Sequence, residues 1–340
     1  MLTLSIICNL KTCQVDYSNA FAQAEVDDDI YVNLPADFDA QKDGNFILKL
    51  NKSLYGLHQS PLAWFDKLST GLKARGFITS EIDPCLFIAP NIICIIYVDD
   101  CLFFAKDDTV IDQMINNLRQ DFELQPVTDV TAFLGIQLVR NETTHTMTLT
   151  QPRLIHRILE TCDMVDCHSK TTPTTRTPLG SNDNGPLRKE KWSYSSVVGM
   201  LLYLASNTRP DLAFAVNQAA RYTHCPKRIH EEAIKRICRY LRGTTDKGLI
   251  LHPSESFDLK CYVDADFADL WRYEDDQDPI CVRSRTGYVL IFANCPLLWV
   301  SKLQTEITVS TMEAEYIALS QSMRDLLPMR YFIIEILNNL

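Results

Sequence analysis

The sequence predicts an α+β protein in which short strands and helices occupy successive parts of the chain. Residues 91–98 and 101–105 are β-branched and aromatic runs separated only by Asp99 and Asp100, which is typical of two strands joined by a tight turn. From Phe257 onward, apolar and polar residues alternate as in a strand with one buried face. Between these regions lie three helical patterns, at 194–207, 210–223 and 229–242.

Length and composition describe a globular protein with room for two or three domains. The chain has 340 residues, of which 46% are hydrophobic and 22% are charged. No apolar run reaches the roughly 18 to 20 residues that a membrane-spanning helix needs, so we expect no membrane partner. The twelve cysteines contain no C-x-x-C pair, and we interpret them as reduced core thiols of an intracellular protein.

The distribution of charge is more informative than its sum. The net charge of −10 argues against a generic nucleic-acid-binding protein. Residues 227–247 are nevertheless strongly basic, and Lys235, Arg239 and Arg242 recur there at helical spacing. This basic face is either a solvated helix surface or a contact for duplex phosphates. Another face of the same helix is expected to carry an apolar stripe, Ile229, Ala233, Ile237 and Leu241.

The acidic pair Asp99-Asp100 is the feature that folding alone explains least. One interpretation is that aspartate is simply a favourable turn residue. Two like charges about 4 Å apart, however, repel by roughly 4 kcal/mol at an effective dielectric constant of about 20. A bound divalent cation would relieve this repulsion, and carboxylate oxygens suit Mg²⁺.

The first part of the chain contains further short elements. The apolar opening, residues 1–10, is expected to be a piece of core helix. Asp16 follows the strand-like stretch 12–15, where a carboxylate could also mark a simple turn. Pro61 is well placed to begin a helix, because its missing N–H costs nothing in the first turn. The remaining elements expected here are a strand at 30–34 and a helix at 62–77.

After residue 150 the sequence predicts a helix, a connection and a β-rich end. Residues 151–164 have a helical pattern, and residues 169–191 are rich in Thr, Pro, Asn and Gly, as in a linker. The alternation around Asp264 points its carboxylate away from the apolar face. Ser310 and Glu313 have the spacing of a capping box, which explains Glu313 by structure alone. A hairpin is expected between strands at 286–292 and 297–302, around Asn294-Cys295-Pro296.

Five short motifs stand out before residue 150. They are Gln14-Val15-Asp16 with Phe21, Lys52-Ser53-Leu54-Tyr55-Gly56-Leu57-His58-Gln59-Ser60-Pro61 with Trp64, Asp83-Pro84-Cys85-Leu86-Phe87, Tyr97-Val98-Asp99-Asp100, and Phe133-Leu134-Gly135-Ile136. In order and rough spacing these motifs closely resemble copia-type LTR-retrotransposon reverse transcriptases. One departure is His58, where the family commonly has lysine. The resemblance implies a right-hand polymerase palm with partial fingers over residues 1–150.

The resemblance also implies a two-metal polymerase site. Asp16 and Asp99 would hold two Mg²⁺ ions, and Asp100 would support them. The backbone carbonyl of Tyr17 would complete one coordination shell. One ion would lower the pKa of the primer 3′-hydroxyl, and the other would neutralise charge on the triphosphate. Phe21 matches the aromatic residue that excludes a ribose 2′-hydroxyl, although core packing also explains a single phenylalanine.

Two further matching segments would contact the substrates. The resemblance implies that these are an RNA or DNA template-primer and deoxynucleoside triphosphates. The nucleotide and the template would meet Gln59, Ser60 and Pro61. The primer would be gripped by Phe133, Leu134 and Gly135.

Three later motifs resemble the RNase H domain that follows copia-type polymerases. They are Tyr262-Val263-Asp264-Ala265-Asp266, Arg285-Thr286-Gly287-Tyr288, and Glu313-Ala314-Glu315-Tyr316 with Leu319. Asp264 and Glu313 would bind metal ions for hydrolysis of the RNA strand of a hybrid. The implied order is a thumb and helical connection over 151–256, followed by an incomplete RNase H-like α/β domain over 257–340.

Compared with the family, the chain is expected to be a fragment of Pol that is truncated at both ends. An early finger segment and the third RNase H carboxylate are missing, so we expect no RNase H activity. Other Pol and Gag segments of the element would be partners, in a cytoplasmic particle or the nucleus. The sequence leaves the oligomeric state open. The competing interpretation is an inactive retroelement remnant that at most binds nucleic acid.

Overall fold

The computed structural model describes residues 1–26, 28–33, 47–125, 128–175, 177–181, 184–271, 273 and 278–339. The helices are α1 (Leu2–Ile7), α2 (Ala20–Gln23), α3 (Ser60–Lys73), α4 (Asp108–Leu118), α5 (Pro152–Thr161), α6 (Tyr194–Asn207), α7 (Ala213–Ala220), α8 (Arg228–Arg242) and α9 (Thr311–Leu337). The strands are β1 (Lys11–Asp16), β2 (Tyr31–Asn33), β3 (Ile47–Lys49), β4 (Ile78–Thr79), β5 (Leu86–Ala89), β6 (Ile92–Tyr97), β7 (Asp100–Ala105), β8 (Thr128–Asp129), β9 (Ala132–Phe133), β10 (Ile136–Asn141), β11 (Thr146–Thr150), β12 (Leu249–Leu251), β13 (Leu259–Asp266), β14 (Arg285–Phe292) and β15 (Cys295–Leu303). Short 3₁₀ helices cover Pro210–Leu212 and Pro279–Val282.

These elements form two units. The first unit comprises Cys8–Val130 and Tyr331–Leu340, and the second comprises Met1–Ile7 and Thr131–Arg330. The domain boundaries predicted near residues 150 and 256 stay predictions. Residue 34 of the predicted strand, and residues 176, 182 and 183 of the predicted linker, lie outside the described residues.

The first unit is built on an antiparallel sheet with the strand order β4-β5-β6-β7-β1-β8. Every residue of β5 is buried, and so is every residue of β7 except Asp100 at its start. Strands buried on both faces carry continuous apolar runs instead of alternation, and the strands predicted at 91–98 and 101–105 are confirmed as β6 and β7. The turn between them is Val98-Asp99 and not the predicted Asp99-Asp100, because Asp100 already pairs with Tyr97 as the first residue of β7. Helices α3 and α4 add Trp64, Leu68 and Ile111 to the same core.

Helix α3 has clear signals at both ends. Pro61 lies in its first turn, as predicted. The helix ends at Lys73, earlier than the predicted residue 77, because Gly76 adopts a left-handed φ of 87°. The Phe77 N–H then donates to the Leu72 carbonyl at 3.2 Å, and the Gly76 N–H donates to the Lys73 carbonyl at 3.0 Å. This glycine-terminated pattern satisfies carbonyls that a helix end leaves open.

The second unit combines two antiparallel sheets with a helical core. Strands β12, β11, β10 and β9 form one sheet, and β13, β14 and β15 form the other. Helices α5 to α8 surround one buried cluster that includes Ile158, Leu201, Val216 and Ile237. The helix predicted at 194–207 is confirmed as α6. The pattern at 210–223 divides into a 3₁₀ turn followed by α7.

The buried stripe of α8 differs from the predicted one. Its buried members are His230, Glu231, Ile234, Ile237, Cys238 and Leu241, whereas Ile229 is exposed. The prediction placed only apolar residues inside. His230 and Glu231 are buried because their side chains receive hydrogen bonds from the Lys227, Lys189 and Glu190 amides at 2.8–3.0 Å.

The basic face of α8 is largely engaged within the unit. Lys235 pairs with Glu190 at 2.5 Å and with Glu231 at 3.4 Å. The Arg242 Nε donates to the Val165 carbonyl at 2.7 Å. Arg239 and Arg242 are both exposed. Lys235 is therefore paired within the unit, whereas contact of the two arginines with duplex phosphates stays a prediction.

The predicted linker 169–191 is attached to the helical core. The Leu179 N–H donates to Gln218 Oε1 at 2.7 Å, and Tyr222 donates its hydroxyl to the Leu179 carbonyl at 2.6 Å. His230 Nε2 lies 2.8 Å from the Gly180 carbonyl. The described residues of this segment form no helix and add no strand to the sheets, as its composition predicted. The composition did not predict the hydrogen bonds that attach the segment to the helices.

The elements at the end of the chain follow their sequence signals. β13 alternates as predicted, with Asp264 on its exposed side. The turn after β14 is Ala293-Asn294, with φ values of 48° and 66°, so Cys295 already belongs to β15. This places the turn earlier than the predicted Asn294-Cys295-Pro296, because Asn294 accepts a left-handed conformation readily.

Among the described residues, no helix is both long and apolar enough to cross a membrane. All twelve cysteines are free thiols, most of them buried or partly buried, in agreement with the predicted core thiols.

Two glycines offer a matched test of packing. A Cβ at Gly71 in α3 would lie 2.6 Å from the Phe122 ring, which Tyr17 and Trp64 hold by edge contacts at centroid distances of 5.7 and 6.0 Å. We therefore expect Gly71→Ala to lower the free energy of unfolding by about 1–3 kcal/mol. Gly199→Ala in α6, where a Cβ meets nothing within 4 Å, should raise it by about 0.5–1 kcal/mol. Chemical denaturation measures both, and stabilisation by Gly71→Ala would contradict the packing.

Candidate active site

Three acidic residues lie at one end of the first unit's sheet. Antiparallel pairing places Asp16, the last residue of β1, opposite Asp100, the first residue of β7. The same register pairs Tyr97 of β6 with Asp100, so Asp99 lies in the two-residue turn between these strands. Opposed residues in antiparallel strands have Cα atoms about 4.5–5.5 Å apart. The sheet thus brings Asp16 to the acidic pair across more than eighty residues of sequence.

The turn that carries Asp99 is held by buried aromatic residues. Val98 has a φ of 58°, an unusual conformation for a β-branched residue. Its carbonyl accepts a hydrogen bond from Trp64 Nε1 at 2.7 Å, and Trp64 is only 1% exposed. The Tyr17 N–H donates to the Asp99 carbonyl at 3.3 Å. These contacts fix the backbone on which the acidic pair stands.

The electrostatics of the site reflect the proximity of the acids. Burial raises the pKa of Asp16, and the charges of Asp100 and Asp99 raise it further. Asp100 Oδ1 accepts a hydrogen bond from Gln14 Nε2 at 3.0 Å, which orients that carboxylate. The site therefore concentrates negative charge that the neighbouring side chains only partly compensate.

Hard oxygen donors and unrelieved repulsion fit a divalent cation such as Mg²⁺. Within the described ranges, however, three or more His, Cys, Asp or Glu side chains nowhere converge on a point where they could enclose an ion. The donor chemistry of Asp16, Asp99 and Asp100 fits the metal, while closed coordination would require oxygens from outside these side chains.

Phe21 and Tyr55 form an aromatic pair in the first unit. Phe21 is 8% exposed, and its ring centroid lies 4.5 Å from that of Tyr55. Burial raises the pKa of Tyr55, and the charges of Asp99 and Asp16 raise it further. Tyr17 is fully buried, with its ring 5.0 Å from Trp64. Our site prediction did not include Tyr55, although this residue lies inside one of the motifs that carried the resemblance.

The segment predicted to contact the nucleotide and template begins α3. Ser60 is fully buried, and its hydroxyl donates to the Leu54 carbonyl at 2.7 Å. Gln59 is the residue before the helix and makes no side-chain capping bond, and Pro61 is exposed. Ser60 therefore holds the segment in place, whereas the side chains of Gln59 and Pro61 are accessible to solvent.

The predicted primer-contact residues form a tight hairpin in the second unit. Phe133 ends β9, and Leu134 and Gly135 make the turn with φ values of 50° and 75°. The Tyr203 hydroxyl donates to the Leu134 carbonyl at 2.6 Å, which ties the turn to α6. Their contact with a primer stays a prediction.

The carboxylates predicted for RNase H also lie in the second unit. Ser310 Oγ accepts the Glu313 N–H at 3.2 Å, and the Glu313 carboxylate accepts the Val309 N–H at 2.8 Å. The predicted hydrogen bond from the Glu313 N–H to the Ser310 hydroxyl is present. The Glu313 carboxylate, however, accepts the N–H of Val309 and not that of Ser310. The metal-binding roles of Asp264 and Glu313 stay predictions.

Glu315 is a carboxylate that our prediction did not select. It lines one surface pocket together with Val263 of β13, whereas Glu313 is engaged at the helix start. The signal that could have identified Glu315 is the capping box itself. The cap accounts for Glu313, and Glu315 is the next acid on the same helix.

Comparison with known proteins identifies the family. The family profile described as reverse transcriptase (RNA-dependent DNA polymerase) matches residues 1–176. The chain is 33% identical to the retrovirus-related Pol polyprotein from transposon TNT 1-94 of Nicotiana tabacum, over 99% of this chain and 26% of that protein. It is 36% and 33% identical to the Pol polyproteins from transposons RE1 and RE2 of Arabidopsis thaliana, over 89% and 92% of this chain and 20% and 21% of those proteins.

The chain therefore belongs to the reverse transcriptase family, and the resemblance to copia-type Pol is confirmed. It is a reverse transcriptase by ancestry. It spans 20–26% of the length of these relatives.

The raised pKa of Asp16 predicts how stability depends on pH. Because the folded protein holds this pKa above its ordinary 3.8, the folded state binds the proton more tightly than the unfolded chain does. Ionised Asp16 therefore lowers stability as the pH rises through the folded pKa. We expect Asp16→Asn to raise the melting temperature near neutral pH, with a gain that vanishes as the pH falls below 3.8.

Thermal unfolding across this pH range measures the effect. Asp66→Asn, at an exposed carboxylate of α3 in the same unit, is the matched control and should change little. A lower melting temperature for Asp16→Asn at neutral pH would contradict the electrostatic origin.

Proposed function

We propose that this chain carries the polymerase centre of a copia-type reverse transcriptase. The reaction transfers a deoxynucleotide from its triphosphate to a primer 3′-hydroxyl on an RNA or DNA template. The observation that carries the proposal is the register that places Asp16 opposite Asp100, with Asp99 in the adjoining turn. Folding of the sheet does not require three acidic residues at the ends of its strands. Phosphoryl transfer does require negatively charged side chains, because they bind the metal cations.

Each acid has a distinct task in this proposal. Asp16 and Asp99 would hold two Mg²⁺ ions, and Asp100, oriented by Gln14, would support them. When bound, the ions would neutralise charge on the triphosphate and lower the pKa of the primer hydroxyl. The backbone carbonyl of Tyr17 would add one oxygen. The chain itself needs no nucleophile, because the attacking group belongs to the primer.

Phe21 would select deoxynucleotides by shape. Its ring is packed into the core and supported by Tyr55, so it cannot move aside easily. A rigid ring beside the sugar would clash with a ribose 2′-hydroxyl. Core packing and sugar selection are compatible, because burial of one side of the ring is what gives the other side a fixed position.

The remaining segments complete the proposed architecture. The first unit supplies the palm and part of the fingers, with Gln59 and Pro61 facing the nucleotide and template. Phe133, Leu134 and Gly135 would contact the primer. Residues 151–256 would form a thumb and helical connection, and residues 257–340 an RNase H-like domain. Other Pol and Gag segments of the element are the proposed partners.

The proposal predicts that one charge is essential. Asp99→Asn keeps the side-chain shape but removes a negative charge, so Mg²⁺-dependent primer extension should fall by at least about a hundredfold. Extension of a labelled primer by deoxynucleotides on an RNA template measures this. Asp107→Asn, at an exposed acid just beyond the far end of β7, is the matched control and should retain activity.

Two outcomes would count against these assignments. Full activity of Asp99→Asn would remove Asp99 from the mechanism. A wild-type chain that binds the template-primer but never extends it would favour the alternative, an inactive retroelement remnant.

The proposal also predicts relaxed sugar selection in Phe21→Val. The smaller side chain leaves space for the 2′-hydroxyl, so the ratio of kcat/KM for deoxynucleotides over ribonucleotides should fall by roughly ten- to a hundredfold. Phe77→Val, at a phenylalanine of the same core that is 3% exposed, controls for lost packing and should keep the ratio. Unchanged discrimination in Phe21→Val would return Phe21 to a purely structural role.

A further inference from the structure

Strand β13 of the second unit has one open edge. It pairs with β14 on one side, and within the described residues no strand pairs with its other side. The strand covers eight residues, Leu259–Asp266, whereas about five or six are usual. An unpaired edge presents a row of N–H and C=O groups with which another strand can pair. This edge is therefore a template for an additional strand.

The groups that face the open edge belong to alternate residues. The Ala293 N–H donates to the Asp258 carbonyl at 3.0 Å, just before the two strands begin to pair. In an antiparallel pair, opposed residues that exchange hydrogen bonds alternate with opposed residues that do not. The register of β13 with β14 runs without a shift, so the even-numbered residues of β13 bond to β14. The N–H and C=O groups of the odd-numbered residues point outward, and these residues are Leu259, Cys261, Val263 and Ala265.

Exposed apolar side chains lie beside this edge. Val263 lines a surface pocket of about 320 Å³ together with Met312, Glu315, Tyr316 and Leu319 of α9. The three apolar members from the helix are 67%, 65% and 48% exposed. They follow one another at helical spacing, so they share one face of α9. An open strand edge and a group of exposed apolar side chains thus occupy the same side of the unit, as at a protein–protein contact.

The charges of β13 fit a second copy of the same strand. Lys260 and Asp266 are exposed on one face of β13. When two copies pair antiparallel with Val263 opposite Val263, Lys260 of each copy lies opposite Asp266 of the other. These even-numbered residues form the pairs with the closer side chains, because their N–H and C=O groups point toward β14. Two attractive charge pairs then flank the symmetry axis, and unlike charges directly opposite each other stabilise a sheet.

The neighbouring register is less favourable. With Tyr262 opposite Tyr262, the outward groups would still match, and Lys260 would oppose Asp264. Asp258 of each copy would then oppose Asp266 of the other, and like charges in that position destabilise a sheet. The register centred one residue later keeps the attraction and avoids the repulsion.

We propose that this chain forms a symmetric dimer through antiparallel pairing of β13 with β13 of a second copy, centred on Val263. The two three-stranded sheets join into one, and the same edge serves on both copies. The exposed side chains of Met312, Tyr316 and Leu319 from both copies come to lie on one side of the joined sheet, where they lose contact with water. The interface is small, so the dimer is in a concentration-dependent equilibrium with the monomer. This inference does not rest on the proposed polymerase function.

Sedimentation velocity of the whole chain tests the pairing, at concentrations from about 1 to 100 µM. Cys261→Pro removes an outward N–H and leaves the bonds to β14 in place, because proline is tolerated where an edge N–H faces solvent. We expect the dissociation constant of the dimer to rise at least about tenfold. Cys261→Ala removes the thiol but keeps the N–H, so it should dimerise like the wild type. Circular dichroism checks that both variants are folded.

Exchange of charges tests the register independently of the proline variant. Lys260→Glu and Asp266→Lys each place like charges opposite one another twice, so each variant alone should be monomeric where the wild type dimerises. In a mixture of the two, the new carboxylate of one variant lies opposite the new ammonium group of the other. The mixture should therefore form a heterodimer with nearly wild-type affinity. Lys247→Glu, at another exposed lysine of the unit, is the matched control and should dimerise normally.

Three outcomes would overturn the proposal. The first is a wild-type chain that stays monomeric up to about 100 µM, which would leave the open edge to a strand of a different protein. The second is a dimer that persists in folded Cys261→Pro, and the third is a Lys260→Glu variant that still dimerises. Failure of primer extension would count against the proposed function and not against the dimer.

Discussion

The hydrogen bond from the Trp64 indole to the Val98 carbonyl is the contact on which the rest of the site depends. Val98 occupies a left-handed conformation that a β-branched residue adopts at a cost of about 1–3 kcal/mol. Asp99 and Asp100 follow Val98 directly, and their charges raise the pKa of Asp16. Trp64 can hold this turn because its own ring is fully buried, with edge contacts to Tyr17 and Phe122. A hydrophobic core thus supports an arrangement of charge that would not be stable alone.

Helix α3 joins the two parts of the proposed active site. Its buried face supplies Trp64, which fixes the acidic turn, and the chain leading to its start carries Tyr55, which covers Phe21. The Ser60 hydroxyl connects these regions by closing the turn before the helix. A shift of this helix would therefore disturb the acids and the aromatic pair together, which explains why a contiguous segment of sequence serves both.

Buried polar side chains also hold the backbone in place in the second unit. Arg209 is 2% exposed, yet its guanidinium is satisfied by Asp211 at 2.9 Å and by the Thr244 carbonyl at 2.9 Å. Glu231 receives the Lys189 and Glu190 amides at 3.0 Å, and these contacts together with that of Lys235 hold its pKa below the ordinary value despite burial. Such groups are tolerated in a core only when they are hydrogen-bonded, and here Glu231 attaches the irregular segment to α8.

The sequence by itself determined the local elements and the identity of the acids. Apolar runs and turn chemistry predicted β6, β7, α6 and the start of α3, and the ordered motifs predicted Asp16 and Asp99 as members of one site. Only the tertiary structure decided which polar residues of α8 are buried, that Glu313 is engaged at a helix start while Glu315 lines a pocket, and that the ring of Tyr55 packs on Phe21. The physical reason is range. Periodicity and capping act over a few residues, whereas these contacts join side chains that only the packed sheets and helices bring within hydrogen-bonding distance.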